Sequence, residues 1–259
     1  MTDPILRISD LAHAFGGTQA VAGVSFSVPR GAFCGLIGPN GAGKSTLIEC
    51  VSGVLNSYHG RVMFDGRDIT GWPLHRVAGL GLSRSFQVSR MFGRMSVLSN
   101  LMAAPPAQIG ERLLPSFVGG WRDQEAENVT GAWGMLRRFF IDDVAQNYGN
   151  DLSGGQRRLT ELSRSLMTCP HMLLLDEPFA GVSPTNRARL AEHLRALQRD
   201  DGMTILMIEH RLELVEQLCD NIIVMAEGRI IAEGSMADIR KDAAVVSAYL
   251  GDEVVARGA

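Results

Sequence analysis

Cysteine is scarce in this 259-residue sequence: Cys34, Cys50, Cys169 and Cys219 lie far apart and form no CxxC pair. That spacing excludes a short-spaced zinc site and a disulfide framework, and it fits reduced thiols in a cytosolic protein. Basic excess is also missing. Lys and Arg total 25 against 28 Asp and Glu, for a net charge of −3, which disfavours a dedicated nucleic-acid binder. Long apolar runs are absent too: the longest, such as Met172–Leu175 and Ile222–Ala226, fall far below the roughly 20 residues of a membrane helix. The opening Met1-Thr2-Asp3-Pro4 has no basic flank and no apolar stretch, so no signal peptide is expected. What is present is an ordinary globular balance, with 46% hydrophobic and 20% charged residues, enough for one large domain or two modest ones.

The first third runs in strand rhythm. Ile5–Leu11 and Val21–Val28 read as half-buried strands, with Val24, Phe26 and Val28 on one face. Phe33–Ile37 is short and mostly apolar, as in a strand covered on both faces of a parallel sheet. A helix is expected from about Lys44 to Gly53, then a strand at Arg61–Phe64 with Asp65-Gly66 as a hairpin turn. From Val88 to Arg164 the pattern turns helical, broken by Pro105-Pro106, Pro115 and Gly119-Gly120. Strands return at Met172–Leu175, Thr204–Ile208 and Ile222–Met225, with a helix from about Asn186 to Asp200. Two short helices, near Met236–Lys241 and Ala243–Tyr249, end the chain. The expectation is an α/β core interrupted by a helical insertion.

Gly38-Pro39-Asn40-Gly41-Ala42-Gly43-Lys44-Ser45, followed by Thr46, fits G-x-x-x-x-G-K-[ST] and stands between a strand and a helix. Glycines let the backbone wrap phosphate oxygens, and the helix-start N–H groups attract the anion. Lys44 would neutralise the β- and γ-phosphates of a nucleotide, and the Ser45 hydroxyl would ligate Mg²⁺. No Asn-Lys-x-Asp segment occurs, which disfavours a GTPase. Met172-Leu173-Leu174-Leu175-Asp176-Glu177 supplies a buried strand ending in two carboxylates. Ligands of open α/β sheets sit at such strand ends, so Asp176 can reach Mg²⁺ and Glu177 can orient or deprotonate the attacking water.

Leu152-Ser153-Gly154-Gly155-Gln156 precedes a helical run and offers a second anion-binding helix start. One chain thus has two phosphate-binding helix starts but one Lys44 and one Asp-Glu pair. A dimer accounts for this, with each ATP held between the P-loop of one subunit and Ser153, Gly154, Gly155 and Gln156 of the other.

With these motifs together, the sequence resembles the ATP-binding subunits of ABC transporters over nearly its whole length. The resemblance implies a P-loop NTPase (RecA-like) α/β fold with an N-terminal antiparallel β subdomain and a helical insertion subdomain. The expected layout is an ATP-binding core over 1–87 and 169–234, a helical subdomain over 88–168, and a C-terminal extension over 235–259. It also implies roles that spacing alone does not give. Phe15 would stack on adenine with Val21 beside it, Gln87 would touch Mg²⁺ and water, and His210 would contact the γ-phosphate. The Mg²⁺ ligands would then be Ser45, Gln87 and Asp176.

Phe15-Gly16-Gly17, Arg84-Ser85-Phe86-Gln87, Phe179-Ala180-Gly181-Val182-Ser183-Pro184 and Ala232-Glu233-Gly234 look like branched-chain amino-acid importer ATPases. Ser183 and Arg211 depart from the residues usual at their positions. The resemblance implies two transmembrane permeases, a second ATPase subunit, an extracytoplasmic substrate-binding protein and no nucleic acid. The subunit would sit at the cytoplasmic face of the inner membrane. Val88, Met91, Phe92, Met95, Val97 and Leu98 are the expected permease-docking residues. Two other readings share the catalytic motifs: an exporter ATPase for lipid or polysaccharide, and an importer ATPase for urea, amides or aromatic acids.

Overall fold

The computed structural model describes residues 3–85, 91–108 and 121–256. Ten strands occur among them: β1 (Leu6–Phe15), β2 (Thr18–Val28), β3 (Phe33–Ile37), β4 (His59–Phe64), β5 (Arg67–Asp68), β6 (Leu82–Arg84), β7 (Met172–Asp176), β8 (Thr204–Ile208), β9 (Asn221–Ala226) and β10 (Arg229–Gly234). The helices are α1 (Lys44–Val51), α2 (Leu74–Ala78), α3 (Val97–Met102), α4 (Arg122–Arg138), α5 (Gly154–Leu166), α6 (Pro184–Asp200), α7 (Leu212–Leu218), α8 (Met236–Ile239) and α9 (Ala243–Ala256).

The chain divides into two compact units, one of residues 1–84, 171–178 and 194–259, the other of 85–170 and 179–193. Every strand belongs to the first. An antiparallel sheet runs β2-β1-β4-β5, and a second sheet runs β10-β9-β3-β8-β7-β6. In the second sheet β9, β3, β8, β7 and β6 pair in parallel, and β10 adds an antiparallel edge. The Asp65-Gly66 turn takes φ of 48° and 74°, both positive, as a tight hairpin with right-handed twist demands.

Burial follows the periodicities. β3, β7 and β8 are buried at all five positions, the pattern of strands covered on both faces. β9 alternates: Ile223 and Met225 join one core with Leu36, Leu174, Leu206 and the α1 residues Leu47, Ile48 and Val51. Ile222 and Val224 face the other way and pack with Ile37, Val215, Met236, Ile239 and Val245. The strands expected at Ile5–Leu11, Arg61–Phe64 and Ile222–Met225 are therefore present, somewhat longer. β5, α2, β6, α7 and β10 went unread because they are short or carry polar residues, and long-range pairing stabilises them.

The second unit is helical among its described residues, built from α3, α4, α5, the start of α6 and two 3₁₀ turns. Asn100 is fully buried in it and ties the 92–96 loop. Its side chain accepts from Phe92 N at 2.8 Å and donates to the carbonyls of Phe92 and Ser96 at 3.0 Å. Val97, expected to meet a permease, is instead fully buried. It is the first residue of α3, one position past the Ser96 cap, and so belongs to the unit's own core. Phe92 is 49% exposed, while Val88 lies outside the described residues.

Candidate nucleotide site

Strand order brings the site together. β3, β8 and β7 are neighbours, and Leu36 pairs with Ile208 while Ile208 pairs with Asp176. The residues following each strand therefore emerge side by side at the carboxyl edge, where open α/β sheets bind ligands. β3 delivers Gly38–Thr46, β7 delivers Glu177, and β8 delivers Glu209 and His210. A cavity of about 200 Å³ there is lined by Ala20, Asn40, Gly41, Ala42, Gly43, Lys44, Ser45, Thr46, Glu177 and His210.

The loop is locked by close backbone approach. Gly38 has φ of 149° and Gly43 of 93°, and a Cβ would meet Met225 O at 2.0 Å or Ala20 O at 2.1 Å. Only glycine fits. Gly228 N donates to Ala42 O at 3.1 Å and Ala22 N to Gly228 O at 2.8 Å, stitching the loop to β2 and to the β9–β10 turn. Lys44 is 6% exposed, and its Nζ donates to the carbonyls of Gly38 and Pro39 at 2.8 Å each. A cation is thereby held within the loop, next to the helix-start N–H groups.

Glu177 takes φ of 48°, a left-handed conformation that costs a residue with a Cβ about 1–2 kcal/mol. Its amide donates to Ile208 O at 3.0 Å, and its Oε1 lies 2.9 Å from His210 Nε2. The carboxylate and imidazole thus form one wall of the cavity. Behind them Glu209, 4% exposed, accepts the amides of His210 and Arg211 on Oε1 at 3.1 and 3.2 Å. Sequence reading passed over Glu209, and only its place beside His210 could have pointed to it. Arg211, the unusual residue, caps α7 without a side-chain bond.

Asp176 is 2% exposed and does not line the cavity; Arg84, 5% exposed, reaches its Oδ2 at 3.3 Å and Glu49 at 3.7 Å. Val21 is fully buried in the core, and its neighbour Ala20 lines the cavity instead. Phe15 ends β1 half exposed, edge-on to His13 with ring centroids 4.5 Å apart. Gln87 lies outside the described residues. Ser153 and Gln156 belong to the second unit, where they close a capping box on α5: Ser153 Oγ accepts Gln156 N at 3.3 Å and Gln156 Oε1 accepts Ser153 N at 3.0 Å. Gly154 is exposed and Gly155 buried. A Cβ on Gly155 would meet Asn186 Nδ2 at 2.9 Å.

A glycine loop after a central parallel strand, a cation within it and a carboxylate–imidazole wall define a P-loop nucleotide-binding protein. Family comparison agrees and narrows it. The ABC transporter family matches residues 21–180, and the branched-chain amino acid ATP-binding cassette transporter family matches 229–255. The chain is 39% identical over 95% of both chains to a probable branched-chain amino acid transport ATP-binding protein LivG of Archaeoglobus fulgidus. It is 35% identical to the high-affinity branched-chain amino acid transport ATP-binding protein BraF of Pseudomonas aeruginosa, over 97% of this chain and all of that one. Among solved structures it resembles an ATP-binding cassette of an ABC transporter in its ADP conformation, with a TM-score of 0.82 and 38% identity over 96% of this chain and 100% of that one. The chain belongs to the ATP-binding cassette family of ABC transporters, in its branched-chain amino-acid group.

Proposed function

We propose that this chain binds and hydrolyses ATP as the energy-coupling subunit of an importer of branched-chain amino acids. The observation that carries the catalytic part is the convergence of Lys44, Ser45, Glu177 and His210 on one cavity. The phosphates lie along the 41–46 backbone, where N–H groups and the Lys44 ammonium offset their charge without reorganisation. Glu177 takes the proton of the attacking water, and His210 holds the carboxylate in position from 2.9 Å. Phe15, half exposed at the end of β1, stacks on adenine.

Ser45 lines the cavity and offers one hard oxygen for Mg²⁺. Among the described residues no group of three or more His, Cys, Asp or Glu gathers, and Mg²⁺ asks for only one or two protein oxygens besides phosphate and water. Ser45 would hold it, with Asp176 joining once its Oδ2 leaves Arg84 and Gln87, outside the described residues, as the third ligand; it would supply charge neutralisation at the phosphates.

Two chains close head to tail, with Ser153 and Gly154 of each acting on the nucleotide held by the other's Lys44. The γ-phosphate then bridges both subunits, and its hydrolysis releases them. No helix of the described residues is long and apolar enough to cross a membrane. In keeping with relatives named as transport ATP-binding proteins, two permease subunits carry the transport path, this subunit sits at their cytoplasmic face, and an extracytoplasmic binding protein delivers cargo.

The test is Glu177→Gln in the assembled transporter. The amide keeps the shape but cannot accept a proton, so ATP binding persists and hydrolysis falls by about 10²–10⁴-fold. ATP-driven leucine uptake into vesicles by the wild-type assembly checks the cargo. Wild-type turnover in the variant would refute the catalytic assignment; vesicles that take up another solute and not leucine would refute the cargo.

A further inference from the structure

Beyond the nucleotide site, the first unit has a second cavity, of about 270 Å³. Its lining includes Ile37, Leu212, Ile239, Arg240, Val246 and Tyr249, and among the described residues Arg240 is the only charged side chain in it. Leu212 and Val246 are 38% and 44% exposed, so apolar surface continues out to the mouth. Arg240 Nη2 lies 2.6 Å from Glu216 Oε2 on α7, with both side chains about half exposed. Arg240 brings a cation to the apolar wall, and Glu216, outside the lining, places an anion 2.6 Å beyond that cation, a pairing with the chemistry of a small zwitterion with an aliphatic side chain.

We propose that this cavity binds a free branched-chain amino acid, with its side chain among the apolar walls. Its carboxylate bonds Arg240, whose guanidinium has donors enough to serve two carboxylates. Its ammonium bonds Glu216. A cavity just below the ~300–1,000 Å³ range of drug-sized pockets suits such a small ligand. Every lining residue except Ile37 and Leu212 falls within 229–255, the segment that matches the branched-chain cassette family. The identity of the amino acid rests on the transport reading above.

Position makes the ligand consequential. Ile37 immediately precedes Gly38 of the phosphate loop, and Leu212 opens α7 two residues after His210. A ligand touching both bears on the two segments that frame the nucleotide cavity. Binding of amino acid and of ATP are then linked, and any effect of one on the affinity of the other is reciprocal.

The test is calorimetric titration of the purified full chain with L-leucine, L-valine, glycine and L-lysine. Leucine and valine bind with Kd on the order of 1 mM or tighter, in keeping with so few ligand atoms; glycine and lysine do not. Arg240→Gln weakens binding about tenfold or more through loss of a charge-assisted bond. Val246→Trp, at a partly exposed wall position, fills the mouth and abolishes it, with circular dichroism showing both variants folded. Saturating leucine also shifts the midpoint of a fluorescent-ATP titration.

No saturable binding well above millimolar leucine, or binding unaltered by both substitutions, would overturn the site. An unchanged ATP midpoint would overturn the linkage. Uptake of an apolar dye that leucine fails to displace would also overturn the proposal, in favour of a docking groove for a protein segment. Leucine uptake in vesicles without leucine binding to this chain removes only this site; leucine binding without uptake removes only the transport reading.

Discussion

Substituting alanine at Gly43 and at Gly41 separates close backbone approach from mere conformational preference. Both glycines have positive φ, 93° and 79°, so either alanine incurs about 1–2 kcal/mol for the left-handed conformation. Reduced freedom of the unfolded chain returns about 0.4–1 kcal/mol. At Gly41 nothing lies within 4 Å of the added Cβ, and the net loss is about 1 kcal/mol. At Gly43 the Cβ meets Ala20 O at 2.1 Å, where ordinary contact begins near 3.4 Å. More than an ångström must be found in a loop that Gly228 bonds from one side and β2 crowds from the other. Such overpacking adds about 1–3 kcal/mol or more. For a chain of this size 1 kcal/mol shifts Tm by about 2–4 °C. Gly41→Ala therefore melts about 2–4 °C below wild type and Gly43→Ala about 4–16 °C below, by circular dichroism without nucleotide. Gly43→Ala also loses fluorescent-ATP binding. Equal melting losses in the two variants would refute the argument, because only the carbonyl of Ala20 distinguishes them.

Glu209→Ala frees the amides of His210 and Arg211, so His210 loses its alignment on Glu177; ATP hydrolysis in the assembled transporter falls about tenfold, Glu209→Gln restores most of it because the acceptor oxygen remains, and a fully active alanine variant would exclude the positioning role. Thiol chemistry gives a second check: burial pushes the Cys34 and Cys50 thiols up to about 12 and raises Cys219 as well, whereas Cys169 is exposed. An aromatic disulfide reagent at pH 8 thus modifies one thiol in the native chain and four after denaturation. Because the unfolded thiols ionise near 9.0 and the folded ones near 12, stability from these groups is intact below pH 9 and declines as pH rises toward 12, readable as a falling Tm. Mixing Lys44→Ala with Ser153→Arg subunits restores some hydrolysis if the sites are shared between subunits, since one composite site then escapes both changes; a dead mixture with proven mixed dimers would refute the head-to-tail arrangement.

Local rules carried much of what could be read in advance. The phosphate loop is legible because positive φ and close packing leave glycine as the choice at 38 and 43, and because a lysine must follow at the helix start. The buried strands β3, β7 and β8 announce themselves as short apolar runs, and the Ser153–Gln156 segment announces itself as a helix start. Each depends on residues a few positions apart, whose physics is written in the chain itself. Tertiary structure decided the rest. Glu177 meets His210 across 33 positions and Arg84 meets Asp176 across 92, pairings that exist because β3, β8, β7 and β6 lie side by side. On β2, in the other sheet, Val21 went into the core and Ala20 stayed at the cavity. Val97, as apolar as its exposed neighbour Phe92, was claimed by the helical unit's interior. Hydrophobicity says that a residue will seek burial, and only the packed partners decide whether its own fold provides it. Short elements such as β5, β6 and β10 show the same division, since two to six residues have too little intrinsic preference to form a strand until a neighbouring strand supplies the hydrogen bonds.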